Sequence, residues 1–229
     1  MFTFALFATA KNSSSMRARA LVAALTTLRA GLTRGMSARG AAGGPNPVQK
    51  PDELVGVCTV ASPVVVRAAP RQEVRAQNLP HRCSFCLIVD RAEERVLVQK
   101  RVAWKETYPS HFDPCPGGVM GPDEAFEENA ARELAEEMGI VTGSALAPQP
   151  PEPLFDFWFE DATIRNWGRL FKVTFEGDLA DLSLQDEEVE SVSWMGRAEL
   201  ARLLDTGPVC PDAALACRRW LASSETGPP

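Results

Sequence analysis

The chain has 229 residues, 45% of them hydrophobic, enough to bury one full core and leave an extension outside it. Its net charge of −6 is unevenly spread: residues 1–50 hold seven Lys or Arg and no acid, leaving 17 basic against 30 acidic residues, a net of −13, in the remaining 179. Such an acidic body excludes general nucleic-acid binding, because no basic surplus exists to neutralise a phosphate backbone. The apolar run at residues 2–10 falls short of the roughly 18 residues that a membrane span needs.

Residues 1–50 read as an extension without fold. The leader is rich in Arg, Ser, Thr and Ala and includes an amphipathic-looking run at residues 16–32, so it is similar to an organelle transit peptide. A mitochondrial or plastid location is the expectation. Met16 and Met36 each offer a later start, and a chain begun there would stay cytoplasmic. The Gly/Ala/Pro stretch at residues 40–47 reads as a linker, residues 51–223 as the folded domain and residues 224–229 as a disordered tail.

Short strands are expected at residues 55–59 and 64–66, then a longer one at 81–89 with an antiparallel return at 96–101. Cys83 and Cys86 form a CxxC, but residues three apart on a strand face opposite sides and no second close pair exists. Core cysteines are therefore expected, and packing is the expectation for Cys115 too. Arg101 and Lys105 follow the return strand and stand where a substrate diphosphate would be met. Beyond residue 140, strands are expected at 154–160 and 167–175, a Pro-rich loop at 147–153 and helices at 197–204 and 211–223. Trp158 and Trp167 are large enough to stack a substrate ring, although an aromatic on a strand more often belongs to a core.

The stretch 117–140, GGVMGPDEAFEENAARELAEEMGI, concentrates six glutamates on and before one expected helix. Asp123 is placed to cap its start, residues 124–138 lack Pro and Gly, and Gly139 supplies the left-handed residue that ends it. Phe126, Ala130, Leu134 and Met138 recur every four residues as the buried stripe. Glu133 and Glu137, with Glu136 beside them, fall on a neighbouring face expected to look toward solvent. Like charges at that spacing repel, and a hard cation such as Mg²⁺ reverses the sign, since it prefers a few carboxylate oxygens together with substrate phosphate.

Gly118, Glu124, Arg132, Glu133, Leu134, Glu136, Glu137, Gly139 and Ile140 together resemble the signature of the Nudix hydrolases, with every fixed position filled. The resemblance implies an α/β fold: an α/β/α sandwich with a mixed sheet and a loop-helix-loop catalytic unit. It implies a hydrolase that cleaves the pyrophosphate linkage of a nucleoside diphosphate joined to another group, using Mg²⁺ or, as a substitute, Mn²⁺. Glu133 and Glu137 would be metal ligands, with Glu136 a further ligand or a base. Glu124 and Arg132 would pair to hold the loop, and Gly118 and Gly139 would allow its turns. A glutamate about six residues before Trp194 often reaches the metal site in this family, and Glu188 has that spacing, as an extra ligand or, like Glu136, the catalytic base that accepts the proton of a metal-bound water.

Residues 69–74 and 78–82 resemble the entry to the first core strand in Nudix proteins close to isopentenyl diphosphate isomerase. That isomerase, however, is similar in fold but uses a cysteine followed closely by a histidine where this chain has Gly117-Gly118, and acids where it has Ile164 and Asn166. The hydrolase reading is therefore preferred over the isomerase. It is also preferred over a non-catalytic nucleotide-diphosphate-binding module, which has no need of repelling glutamates. The implied partner is a small diphosphate, not nucleic acid or membrane; a homodimer is left open. Substrate specificity is expected from the loops at 102–110 and 147–159.

Overall fold

A computed structural model describes residues 52–225; the leader, the linker and most of the tail lie outside the described residues. Eight strands belong to one mixed sheet: β1 (Leu54–Thr59), β2 (Ser62–Pro70), β3 (His81–Val89), β4 (Arg95–Arg101), β5 (Phe112–Asp113), β6 (Glu152–Glu160), β7 (Arg165–Thr174) and β8 (Val189–Gly196). Helix α1 (Arg71–Ala76) leads into β3, α2 (Phe126–Met138) follows the Gly-rich loop, and α3 (Arg197–Thr206) and α4 (Pro211–Glu225) close the chain. The short β2, expected at residues 64–66, is a nine-residue partner of β1. The helix α1 and the two-residue β5 were not expected.

β3 is the centre. It pairs in parallel with β7 from His81↔Asn166 to Val89↔Thr174, and β7 in turn pairs antiparallel with β6. β4 carries β8 and β5 on the other side. Residues 116–120 lie along β3 like a further strand: Cys86 N donates to Pro116 O, Ser84 N to Gly118 O and Met120 N to Arg82 O. This docking puts the Gly-rich loop beside the sheet before the helix begins.

The period of two along β3 sorts its residues into two layers. Cys83, Phe85, Leu87 and Val89 pack with Leu200, Leu204, Ala213, Cys217 and Trp220 of α3 and α4. Cys86 and Ile88 pack with Leu97, Phe171 and Val173 of the sheet and with Ala130, Leu134 and Met138 of α2. The molecule is thus an α/β/α sandwich, and the two cysteines of the CxxC face opposite layers as their spacing requires.

Helix α2 starts two residues later than expected. Glu124 is held in the loop by Arg132, Asn129 and the Gly121 amide, so Asp123 caps nothing; instead Glu128 Oε2 accepts the Ala125 N–H at 3.3 Å. The end is as expected, with Gly139 in the left-handed region at φ 70°. A β-carbon there would also stand 2.8 Å from Ser183 Cβ, so glycine is required twice. Ser84 Oγ donates to Asn129 Oδ1 at 2.5 Å, tying β3 to the first turns of the helix.

Candidate active site

One cavity of about 630 Å³ opens between the Gly-rich loop, α2, α1, the segment after β4 and the turn before β8. Its size suits a nucleotide-sized ligand. Glu133, Glu136, Glu137, Glu188, Arg101 and Lys105 all line it, as does Gly118. The sequence-predicted residues, spread over 88 positions, are therefore gathered around one space.

Their surroundings differ from the expected solvent face. Glu137 is only 4% exposed. It accepts Gln99 Nε2 at 3.3 Å, and burial, with repulsion from Glu133 second, pushes its carboxyl well above the usual range. Glu133 is nearly as enclosed; burial raises it to about 7 against the pull of Arg132, and Glu136 and Glu188 add repulsion. Glu136 alone looks outward, its side chain 57% exposed. The correction has a simple cause. The helix packs so closely on β4 and the 185–189 turn that the face next to its apolar stripe is covered as well.

Glu188 reaches the cavity from that turn. Gln185 N donates to Glu137 O at 2.9 Å, and Val102 N donates to Glu188 O at 3.2 Å, which fixes the turn between α2 and the end of β4. Lys105 Nζ lies 2.5 Å from Glu188 Oε2. Although burial pushes the other way, Lys105 holds Glu188 below the ordinary carboxylate value, and the Glu137 carboxyl shares a hydrogen bond with it. Arg101 stands beside them, donating to Thr107 O at 3.2 Å and pairing with Asp113 at 3.5 Å.

Glu124 and Arg132 pair as expected, Arg132 Nε donating to Glu124 Oε1 at 2.9 Å. Arg132 Nη1 also meets Glu133 at 2.8 Å and Glu136 at 3.2 Å. Those two carboxylates are thereby drawn onto the arginine. Among the described residues no three His, Cys, Asp or Glu side chains are gathered as a ready metal cage. The donors nevertheless fit a hard divalent cation in kind: Glu133, Glu137 and Glu188 offer enclosed, mutually repelling carboxylate oxygens, with Arg132 beside Glu133 and Lys105 beside Glu137 and Glu188.

Other expectations need correction. Residues 147–159 do not line the cavity, and Trp158 and Trp167 pair with each other at 5.5 Å, the Trp167 indole donating to Thr59 O. Neither stacks over the site. In their place the cavity wall includes Arg71, Arg75, Tyr108, Ile164, Cys210 and Asp212, of which only the 102–110 loop was expected to contribute. The one signal for α1 was the four-residue spacing of Arg71 and Arg75, which puts both on one helix face. Cys115 is buried with its Sγ 3.2 Å from Cys217 Sγ, and burial raises its pKa far beyond a reactive range.

A central mixed sheet between helices, with a Gly-rich loop feeding a glutamate helix into a cavity, defines the Nudix class of domain. The chain belongs to the Nudix family: the NUDIX domain model matches residues 80–212. An uncharacterized Nudix hydrolase of Yersinia pestis is 35% identical over 157 residues, covering 69% of this chain and 80% of that protein. One from Streptomyces coelicolor is 34% identical over 170 residues, covering 71% and 87%. Among solved structures, DR0079 from Deinococcus radiodurans aligns with a TM-score of 0.60 at 19% identity, over 73% of this chain and 98% of that one, which supports the fold. This is a hydrolase family, and its members generally act on small molecules with a divalent metal ion.

Proposed function

We propose that this protein is a Mg²⁺-dependent pyrophosphohydrolase that cleaves the diphosphate linkage of a nucleoside diphosphate joined to another group. The observation that carries the reading is the convergence of Glu133, Glu137 and Glu188 with Lys105 and Arg101 in one cavity beside Gly118. Glu133 and Glu137 would hold the ion, with Glu136 a further ligand once it leaves Arg132. When bound, a divalent cation neutralises diphosphate oxygens and lowers the pKa of water. Arg101 and Lys105 bind the non-bridging oxygens, and the Gly117-Gly118 turn lets the substrate approach the backbone closely. Glu188 accepts the proton of the attacking water, because Lys105 keeps it ionised; Glu136 is the alternative base. Mn²⁺ would substitute for Mg²⁺.

The test is product release from NAD(H), FAD, ADP-ribose, coenzyme A, dinucleoside polyphosphates and nucleoside triphosphates by the full chain with Mg²⁺ or Mn²⁺. Cleavage that disappears in Glu137→Gln supports the proposal. Conversion of isopentenyl diphosphate to its dimethylallyl isomer, with no hydrolysis, would replace it. The acid-free leader further supports import into a mitochondrion or plastid; a fluorescent protein carrying residues 1–50 that stays cytoplasmic would remove that part of the reading.

A further inference from the structure

The cavity has two electrostatically opposite ends. The cations acting most strongly on Glu133, Glu137 and Glu188 are Arg132, Lys105 and Arg101. Those acting on Arg75 are Arg71 and Arg101 instead. Arg101 lines the same cavity as both sets and acts on Glu188 as well as on Arg75.

At the guanidinium end the polar groups are incompletely matched. Arg71 donates through Nη1 to Glu53 at 2.8 Å, but its buried Nε–H has no acceptor. Arg75 Nε lies 3.0 Å from Glu106 Oε2 without the alignment of a hydrogen bond, and that glutamate is half exposed. The Arg101 Nε–H is buried and also lacks an acceptor. Burial, then repulsion from Arg71 and more weakly from Arg101, lowers the pKa of Arg75 against the pull of Glu106. Arg71, Arg75 and Arg101 all line the cavity, and guanidinium groups that share a cavity and repel one another are stabilised by an anion between them, as the glutamates are by a cation. Three positive charges with forked donors suit a doubly charged phosphate better than a carboxylate.

We propose that Arg71 and Arg75, with Arg101 shared between the two ends, form a second anion subsite that takes a phosphomonoester carried by the substrate beyond its scissile diphosphate. The substrate class narrows accordingly to diphosphates bearing a further terminal phosphate. This assignment rests on the hydrolase reading for its kinetic consequence, but the subsite itself does not.

Two measurements separate them. Inorganic phosphate is titrated into metal-free full-length protein in EDTA and followed by calorimetry. It should bind wild type and Glu137→Gln alike and bind the Arg71→Gln/Arg75→Gln double variant at least tenfold more weakly; the Lys/Lys double variant should keep most of the affinity. Unchanged phosphate affinity in the Gln double variant, with a native circular dichroism spectrum, overturns the subsite. With Mg²⁺, coenzyme A is then compared with dephospho-coenzyme A, and NADP⁺ with NAD⁺. The phosphorylated member of a cleaved pair should have at least tenfold higher kcat/KM, and the Gln double variant should erase that preference while leaving its partner unchanged. Equal losses on both members would mean that these arginines hold the scissile diphosphate itself, which overturns the proposal. Failure to cleave any compound counts against the hydrolase reading, and the phosphate titration still decides the subsite.

Discussion

The Glu133 carboxylate lies against Gly118 so closely that a β-carbon at position 118 would stand 2.0 Å from Glu133 Oε1. The neighbouring glycine meets a different obstacle: a β-carbon on Gly117 would stand 2.0 Å from the carbonyl oxygen of Ser84, in the middle of β3. A carboxylate can swing away, whereas a strand backbone cannot. Gly118→Ala should therefore fold normally and lose turnover by about 10²-fold as Glu133 is displaced. Gly117→Ala should lose stability by about 2 kcal/mol or more through overpacking. Thermal melting and hydrolysis rates of both variants check the contrast, and equal melting losses would refute it.

Glu137→Gln tests whether burial at the site is tolerated for chemistry alone. Replacing a buried carboxyl by an amide removes repulsion toward Glu133 and Glu188 but leaves an oxygen for Gln99 Nε2. Without metal the variant should melt at or above the wild-type temperature, while turnover falls by about 10³-fold or more. The stabilising effect of added Mg²⁺ on wild type should also disappear. A lower melting temperature in EDTA would mean that Glu137 serves the fold.

Glu124 is the knot of the loop: it accepts from Gly121 N at 2.9 Å, Asn129 Nδ2 at 3.0 Å and Arg132 Nε at 2.9 Å. Glu124→Ala leaves these donors without that acceptor and should cost about 2 kcal/mol in urea unfolding. These hydrogen bonds and Arg132 hold Glu124 below its ordinary pKa against the effect of burial. Its contribution is thus present at neutral pH and lost as pH falls through the folded value. The wild-type advantage over Glu124→Ala should shrink in acid.

His81 gives a separate acid sensitivity. Burial is the main cause that lowers it from 6.5 to about 4, so the folded imidazole stays neutral where the unfolded one charges. The group contributes nothing above pH 6.5 and destabilises progressively from there to about pH 4. Between pH 7.5 and 4.5 this amounts to about 2 kcal/mol. Urea unfolding of His81→Gln across that interval should lose less stability than wild type by roughly this amount; parallel losses would assign the effect to other groups.

Much of this was legible because it is periodic or local. The alternation of residues 81–89, the four-residue stripe of α2 and the Gly139 stop each depend on near neighbours, and the family motif fixed the Glu124–Arg132 pair. The burial of Glu137 was not legible. Its cover comes from Gln99 and from the 185–189 turn, both distant in the sequence, so a helix considered alone seemed to show that side to solvent. Arg71 and Arg75 were passed over for a similar reason. A six-residue helix has too little pattern to announce itself, and only the fold brings α1 across from α2. Asp212, read as part of a packing helix, sits in the cavity wall through the same long-range folding.

The seating of α2 on the sheet through Asn129, Ala130, Leu134 and Met138 has an evolutionary consequence. The α2 acids to which we assign the chemistry sit on a helix anchored by the core, whereas Arg71, Arg75 and Tyr108 hang on a short helix and a connecting loop. On the proposed function, a lineage could therefore exchange one substrate group for another by rewriting α1 and residues 102–110, without touching the side chains that seat α2 on the sheet.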